Sequence, residues 1–268
     1  MPAIQPARLK IRAAELAERT RNPADFCHAY HEFLDYYADR TYRSGMVGQP
    51  PPLMRAYNVP QPVLNAVLKE LDPIAVSDRD AVLELVDSLW AEPYLEFRLL
   101  AASLLGQVSP IPVESVFVRI QNWVKPSTEE RLVAALIVSG LERVRLEQSD
   151  CYIRQIETWL KSKESFEVRL GLKAIPPLLE WSEFEDFPLL FRLIAQLMRS
   201  TPTPLRPEIL AVIEAMAFRS PMETAYFLRE MVITGGENPN FAWYLRHSLK
   251  IFSLDTQEYL REALQLGK

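Results

Sequence analysis

Glycine is scarce in this chain, at 8 of 268 residues. Few glycines and few long β-branched runs argue against a sheet-rich fold and for helices. There are only two cysteines, Cys27 and Cys151, far apart in the sequence. That number excludes a disulfide framework and a cysteine-based zinc signature, and makes a reducing cytoplasm the expected location. No apolar run approaches the roughly 18 residues that a membrane-spanning helix requires. The opening segment (MPAIQPARLKIRAAELAERT) has basic residues but no apolar core of signal-peptide length. Positive charge is not in excess either: 30 Lys and Arg stand against 35 Asp and Glu, for a formal charge of −5. Such a balance argues against indiscriminate nucleic-acid binding, although net charge hides local patches. A glycine-rich phosphate loop, a Gly-x-Ser-x-Gly elbow and a Cys/His nucleophile pair are all missing. No organic cofactor and no metal are expected.

What is present is leucine, alanine and a helical rhythm. Leu9, Ala13, Leu16 and Ala17 share one face of a helix predicted over 7–21, which Asn22-Pro23 ends. Phe26, Tyr30, Phe33, Leu34 and Tyr37 mark a second helix over about 25–43. The proline and glycine content of 44–52 then reads as a loop. On this reading the chain is one α-solenoid over 1–268, with an N-terminal helical pair (1–43), a Pro/Gly-rich loop and lead-in (44–62) and a repeat array (63–268).

The array shows itself by self-similarity. Three segments align: WAEPYLEFRLLAA from Trp90, WVKPSTEERLVAA from Trp123 and WLKSKESFEVRLGLKA from Trp159. Each carries Glu-x-Arg-Leu, at Glu96 and Arg98, Glu129 and Arg131, and Glu167 and Arg169. The arginines are 33 and 38 positions apart, with fainter echoes at Arg206 and Arg246. Periods of this length belong to HEAT-like helix pairs. In each pair a first helix ends near the tryptophan. A short polar turn follows, and a second helix begins with a glutamate in its first turn, where the helix dipole favours negative charge. Ser127-x-x-Glu130 has the form of a capping box. Ala101 and Ala102, Ala134 and Ala135, and Gly171 supply small residues for close helix approach. Further helices are predicted over 188–198, 207–218, 222–233, 241–252 and 256–266. The fold class is therefore all-α, a HEAT-like helix-pair solenoid.

The lead-in Tyr57-Asn58-Val59-Pro60-Gln61-Pro62 and the motif Leu-Trp-x-x-Pro-x-x-Glu-Phe-Arg from Leu89 resemble the DNA alkylation repair glycosylases over roughly 50–180. That resemblance implies a HEAT-like scaffold that excises positively charged alkylpurines from DNA. It also implies adjacent tryptophans at one helix start and an aspartate one turn later. Here Ser127 and Thr128 stand at the tryptophan positions, and Leu132 at that of the aspartate. The family's arginine in the next repeat is matched by Arg169. A later tryptophan has no counterpart near Ala211 and Val212. These departures count against catalysis.

Several groups remain as candidates. Glu129 and Glu130 are the nearby carboxylates able to stabilise an oxocarbenium-like transition state, and they equally suit a helix N-terminus. Arg98, Arg131, Arg169, Lys173 and Arg206, with Arg246 and Lys250 beyond, sit on second helices. They would form either a ladder for DNA phosphates or ion pairs between repeats. Arg169 and Lys173, one turn apart, are the best pair for an anion. Trp90, Trp123 and Trp159 read as packing residues. Cys27, His28, His31, Glu32 and Asp35 crowd one helix without a second cluster to complete a metal site. The basic run Arg8, Lys10, Arg12, Arg19 and Arg21 reads as a solvated face. Two partners follow: double-stranded DNA with alkylated bases, or a protein or peptide held on the concave face of a non-catalytic scaffold.

Overall fold

A computed structural model describes residues 5–39, 54–200, 203–235 and 238–266. The loop expected over 44–52 lies outside these residues. Among the described residues the chain is helical throughout, and its one β feature is an isolated parallel bridge between Arg55 and Tyr94. The all-α class built from helix pairs therefore stands. None of the described helices is long and apolar enough to cross a membrane. The chain divides into two compact units, Met1–Cys151 and Tyr152–Lys268.

In the first unit, α1 (Pro6–Ala17), α3 (Gln61–Ser77), α5 (Leu95–Leu105) and α7 (Glu130–Ala135) pack side by side as one layer. Behind them α2 (Pro23–Tyr37) packs on α4 (Arg79–Ala91), and α4 joins the layers by its hairpin with α5. The predicted apolar faces are the buried ones: Leu9, Ala13, Leu16 and Ala17 of α1, and Phe26, Tyr30, Phe33, Leu34 and Tyr37 of α2. Each large side chain so buried stabilises by about 1.5–3 kcal/mol before entropic costs. The N-terminal pair is thus part of the first unit's core. The basic run is a solvated face as read: Arg8, Lys10, Arg19 and Arg21 are exposed, and Arg12 is half-buried with its guanidinium 4.1 Å from the Tyr36 ring centroid.

The tryptophans occupy the ends of first helices. Trp90 closes α4, Trp123 closes α6 (Glu114–Trp123), and their rings stack at 4.6 Å with planes 8° apart. Trp159, near the end of α9 (Ser149–Leu160), is buried. An aromatic pair of this kind adds about 0.5–1.5 kcal/mol beyond the area it buries. The repeat of tryptophan is therefore a repeat of packing.

Two local readings change. The helix after Trp123 starts at Glu130 with Glu129 as its N-cap, and no side chain caps it. Thr128 Oγ1 instead accepts from the Lys125 N–H at 2.8 Å, closing the turn and displacing the expected Ser127 capping box. The helix then widens into a π-turn over Leu136–Gly140 before α8 (Glu142–Glu147). A π-turn inserts a residue into the ladder and realigns the faces beyond it, an effect that hydrophobic spacing does not announce.

In the second unit α10 (Ser165–Glu180) packs on α12 (Arg206–Arg219), which also meets α13 (Pro221–Thr234) and α14 (Pro239–Ser248); α13 meets α15 (Leu254–Leu266) and α14 meets α11 (Phe187–Ser200). Gly171 does what its size suggested: a Cβ there would lie 2.7 Å from Leu160 Cδ2. In the first unit Ala101 and Ala102 are buried, whereas Ala134 is exposed.

The tightest approach is at Gly106, after α5, where a Cβ would fall 1.7 Å from the Ser139 carbonyl oxygen of the π-turn. Backbone cannot yield as a side-chain tip does. Gly106→Ala is expected to destabilise by about 1–3 kcal/mol, read as a lowered urea midpoint of the first unit. An unchanged midpoint would mean that α5 and the π-turn do not meet as described.

Candidate nucleic-acid interface and the carboxylate cavity

The turn between α4 and α5 organises the first unit's polar groups. The Leu95 N–H donates to the Arg55 carbonyl at 2.9 Å, anchoring the lead-in strand to the start of α5. Asn58 takes a left-handed φ of 56°, a conformation in which asparagine is enriched. That twist turns its N–H onto Glu96 Oε1 at 2.8 Å. Glu96 sits in the first turn of α5 and is 4% exposed. Its other oxygen, Oε2, is buried and has no hydrogen-bond partner among the described residues.

Around it lies an aromatic and ionic cluster. His31 Nδ1 and the Tyr57 hydroxyl are 2.7 Å apart, and His31 Nε2 lies 3.3 Å from Glu92 Oε2. Tyr57 stacks on Tyr94 at 4.9 Å, and His31 rests on Phe97 at 4.3 Å. Desolvation and then the neighbouring Tyr94, Asp35 and Glu96 raise the Tyr57 phenol from 10 to about 12. Burial, with Glu96 again adding, pushes the Tyr30 phenol up as well. Burial raises the Cys27 thiol to about 11, which makes it a poor nucleophile at neutral pH. His28 Nε2 lies 3.6 Å from Glu32 Oε1, with both side chains exposed. Among the described residues no three His, Cys, Asp or Glu side chains are grouped to hold a metal ion.

The arginines of the repeat have different environments. Arg98 Nε donates to the Glu92 carbonyl at 3.0 Å, and its guanidinium lies 5.2 Å from the Trp90 ring. It is thus tied to the α4–α5 turn, while Glu96 of the same repeat faces Asn58. Arg206 donates to Asn240 at 3.0 Å and lies 4.5 Å from the Trp243 ring. Arg169 pairs with Glu208 at 2.8 Å yet keeps 42% of its side chain exposed. Lys173, one turn on, is half-buried. Arg131 is exposed and makes no hydrogen bond or ion pair among the described residues. Glu129 is half-buried and Glu130 exposed, both at the start of α7 beside Arg131. Leu132, aligned with the glycosylases' aspartate, is fully buried, so a side chain at that position packs inward.

Arg131, Ala135 and Ser139 recur at every fourth position, and together with Gln61, Asn65 and Leu68 of α3 and Glu96, Leu99 and Ser103 of α5 they line a cavity of about 190 Å³. Sequence reasoning named Arg131 and Glu96 as repeat members and missed that they border one space. The signal was present in part: a glutamate deep in an apolar stretch (Tyr94-Leu95-Glu96-Phe97) is costly to bury without a purpose. A cavity of about 310 Å³ in the second unit, beside Lys161, Lys163 and Ser165 at the start of α10, has no comparable buried acid on its walls.

The Tyr57 shift sets an alkaline signature. The folded phenol keeps its proton while the unfolded one loses it, so this group's stabilisation is complete below pH 10 and declines as pH rises from 10 towards 12. Tyr57→Phe is expected to flatten part of that decline in denaturant midpoints and to remove the phenolate step near pH 12 from an ultraviolet titration. A Tyr57 that ionises near 10 would contradict the cluster's geometry.

No curated protein matches the sequence. The sequence model of a family described as DNA alkylation repair enzyme matches residues 31–250. That span runs from His31 in α2 to Lys250 beyond α14, and the chain belongs to the DNA alkylation repair enzyme family.

Proposed function

We propose that this protein binds double-stranded DNA across the face of α3, α5 and α7, and recognises alkylated purines there. The observation that carries this reading, beyond family membership, is Arg131: an exposed cation on that face, with no partner among the described residues, beside a cavity of about 190 Å³. Phosphate contacts position a protein on DNA, and base contacts then specify the site. Arg169 and Lys173 on α10 offer the second unit's contacts, since Arg169 keeps much of its side chain in solvent. Arg98 and Arg206 serve the fold in this reading, because both guanidinium groups lie against an indole and donate within the protein.

The reaction to test is N-glycosidic hydrolysis: water adds to the sugar C1′ as the bond to the cationic alkylated base breaks, the base leaves neutral with the bond electrons, and one water proton passes to solvent. A carboxylate near the developing sugar cation lowers the barrier electrostatically. Glu129 and Glu130, next to Arg131, are the acids proposed for that role, with no metal or organic cofactor.

Arg131→Ala is expected to weaken duplex binding and reduce the slope of log affinity against log salt by about one. Arg98→Ala is expected to lower thermal stability while leaving that slope unchanged. Both are measured by fluorescence anisotropy at several salt concentrations, alongside melting curves. Absence of binding at low salt would remove the DNA reading and favour a protein-binding scaffold. For hydrolysis, DNA carrying N3- or N7-alkylpurines is incubated with excess protein. Base release that falls with Glu129→Gln or Glu130→Gln would establish hydrolysis; none above a protein-free blank would leave recognition without catalysis.

A further inference from the structure

We infer that the outer face of α13 is a docking surface for a partner protein that presents a basic amphipathic helix. α13 (PMETAYFLREMVIT) is apolar around most of its circumference. One side is buried: Ala225, Phe227, Leu228, Met231 and Val232 pack inward, and α12, α14 and α15 meet the helix. The opposite side carries Met222, Tyr226 and Ile233, which spacings of four and seven place on one stripe. Phe218, at the end of α12 just before it, extends the apolar surface. These four side chains are 39–91% exposed. A surface helix ordinarily turns polar residues outward, and a contiguous exposed apolar strip marks an interaction site.

The charge around the stripe selects the partner. Glu223 and Glu230 follow one border of it, Glu223 exposed and Glu230 partly so. α15, packed beside α13, presents Asp255, Glu258 and Glu262 to solvent. Against these five acids α13 and α15 hold two arginines and no lysine. Both arginines turn to their own neighbours: Arg229 lies 4.6 Å from the Tyr259 ring and 3.9 Å from Glu230, and Arg261 donates to Gln257 at 2.9 Å. Arg219, just ahead of α13, donates to the Ser182 carbonyl at 2.9 Å. An acidic border repels DNA phosphates and anionic lipid headgroups and attracts lysine and arginine side chains. Two copies of this face brought together would oppose acid to acid, which disfavours a second copy of the chain. Met222 to Ile233 spans about 17 Å of helix axis, a length that one partner helix of three to four turns covers with its own apolar stripe. The surface lies in the second unit and does not rest on the DNA reading.

The test titrates the full chain into two fluorescently labelled model helices that share one leucine stripe, one with lysine and the other with glutamate at the remaining positions. Anisotropy is expected to show the lysine helix bound about tenfold more tightly than the glutamate helix. Met222→Ser with Tyr226→Ser removes the apolar anchors and is expected to weaken lysine-helix binding by about tenfold. Glu223→Gln with Glu230→Gln is expected to narrow the difference between the two helices. All four side chains reach solvent, and melting curves check that each variant is folded. Glu15→Gln with Glu18→Gln, on α1, removes as much charge elsewhere and is expected to leave binding unchanged. An equal loss in that variant would mean bulk charge attraction and overturn the proposal. A lysine helix that fails to bind, or that binds every variant alike, overturns it too. So does a stripe-dependent occupant of another kind: a dimer in sedimentation velocity, or adhesion to neutral lipid vesicles, that Met222→Ser with Tyr226→Ser abolishes.

Discussion

Burial of the Glu96 carboxylate at the start of α5 is the constraint around which the first unit is arranged. A buried charge must be answered locally, and the answer here comes from backbone: Asn58 adopts a left-handed φ so that its N–H reaches Oε1. That contact holds the lead-in to α3 against α5, and the Leu95 N–H to Arg55 bond secures it one residue away. With the lead-in fixed, Tyr57 stacks on Tyr94 and meets His31, which ties α2 to the same turn through Glu92. The lead-in and α2 thus converge on the α4–α5 turn. The negative field at this point is also felt by the phenols of Tyr30 and Tyr57, whose ionisation it opposes.

The repeat and the site use the same residue types for different ends. Three arginines share the Glu-x-Arg-Leu position, yet Arg98 lies against Trp90, Arg131 is open to solvent and Arg169 pairs with Glu208. Among the described residues an ion pair between repeats is realised only in the last, and its acid is Glu208 on α12 rather than the glutamate of the motif. The motif therefore preserves the helix start, where a first-turn acid is favoured by the dipole, and leaves each arginine to its surroundings. Variation at otherwise equivalent positions is how a repeat array acquires a specific site without losing its packing.

Much of the architecture was legible because helical packing leaves a periodic trace. The buried faces of α1 and α2, the tryptophans closing α4, α6 and α9, and the small Gly171 against Leu160 all follow from spacing and size. The resemblance to alkylation repair enzymes, carried by the motif from Leu89 and the lead-in at Tyr57, agrees with the family match over residues 31–250. The candidate site was less legible. Glu96 and Arg131 were read as members of a repeat, and their position around one cavity depends on how α5 and α7 face each other. Ser127 was a plausible cap, but Thr128 closes that turn and Glu129 takes the cap position.

Sequence by itself determined the helical class, the paired repeat, the family and the faces that turn inward, since burying one apolar stripe per helix imposes a period that composition cannot hide. Tertiary structure alone decided which charged groups are answered. The left-handed turn at Asn58, the π-turn against Gly106, and the buried, unpartnered oxygen of Glu96 arise from segments far apart in sequence meeting at atomic distance. No periodic pattern records such meetings, because each involves one residue once.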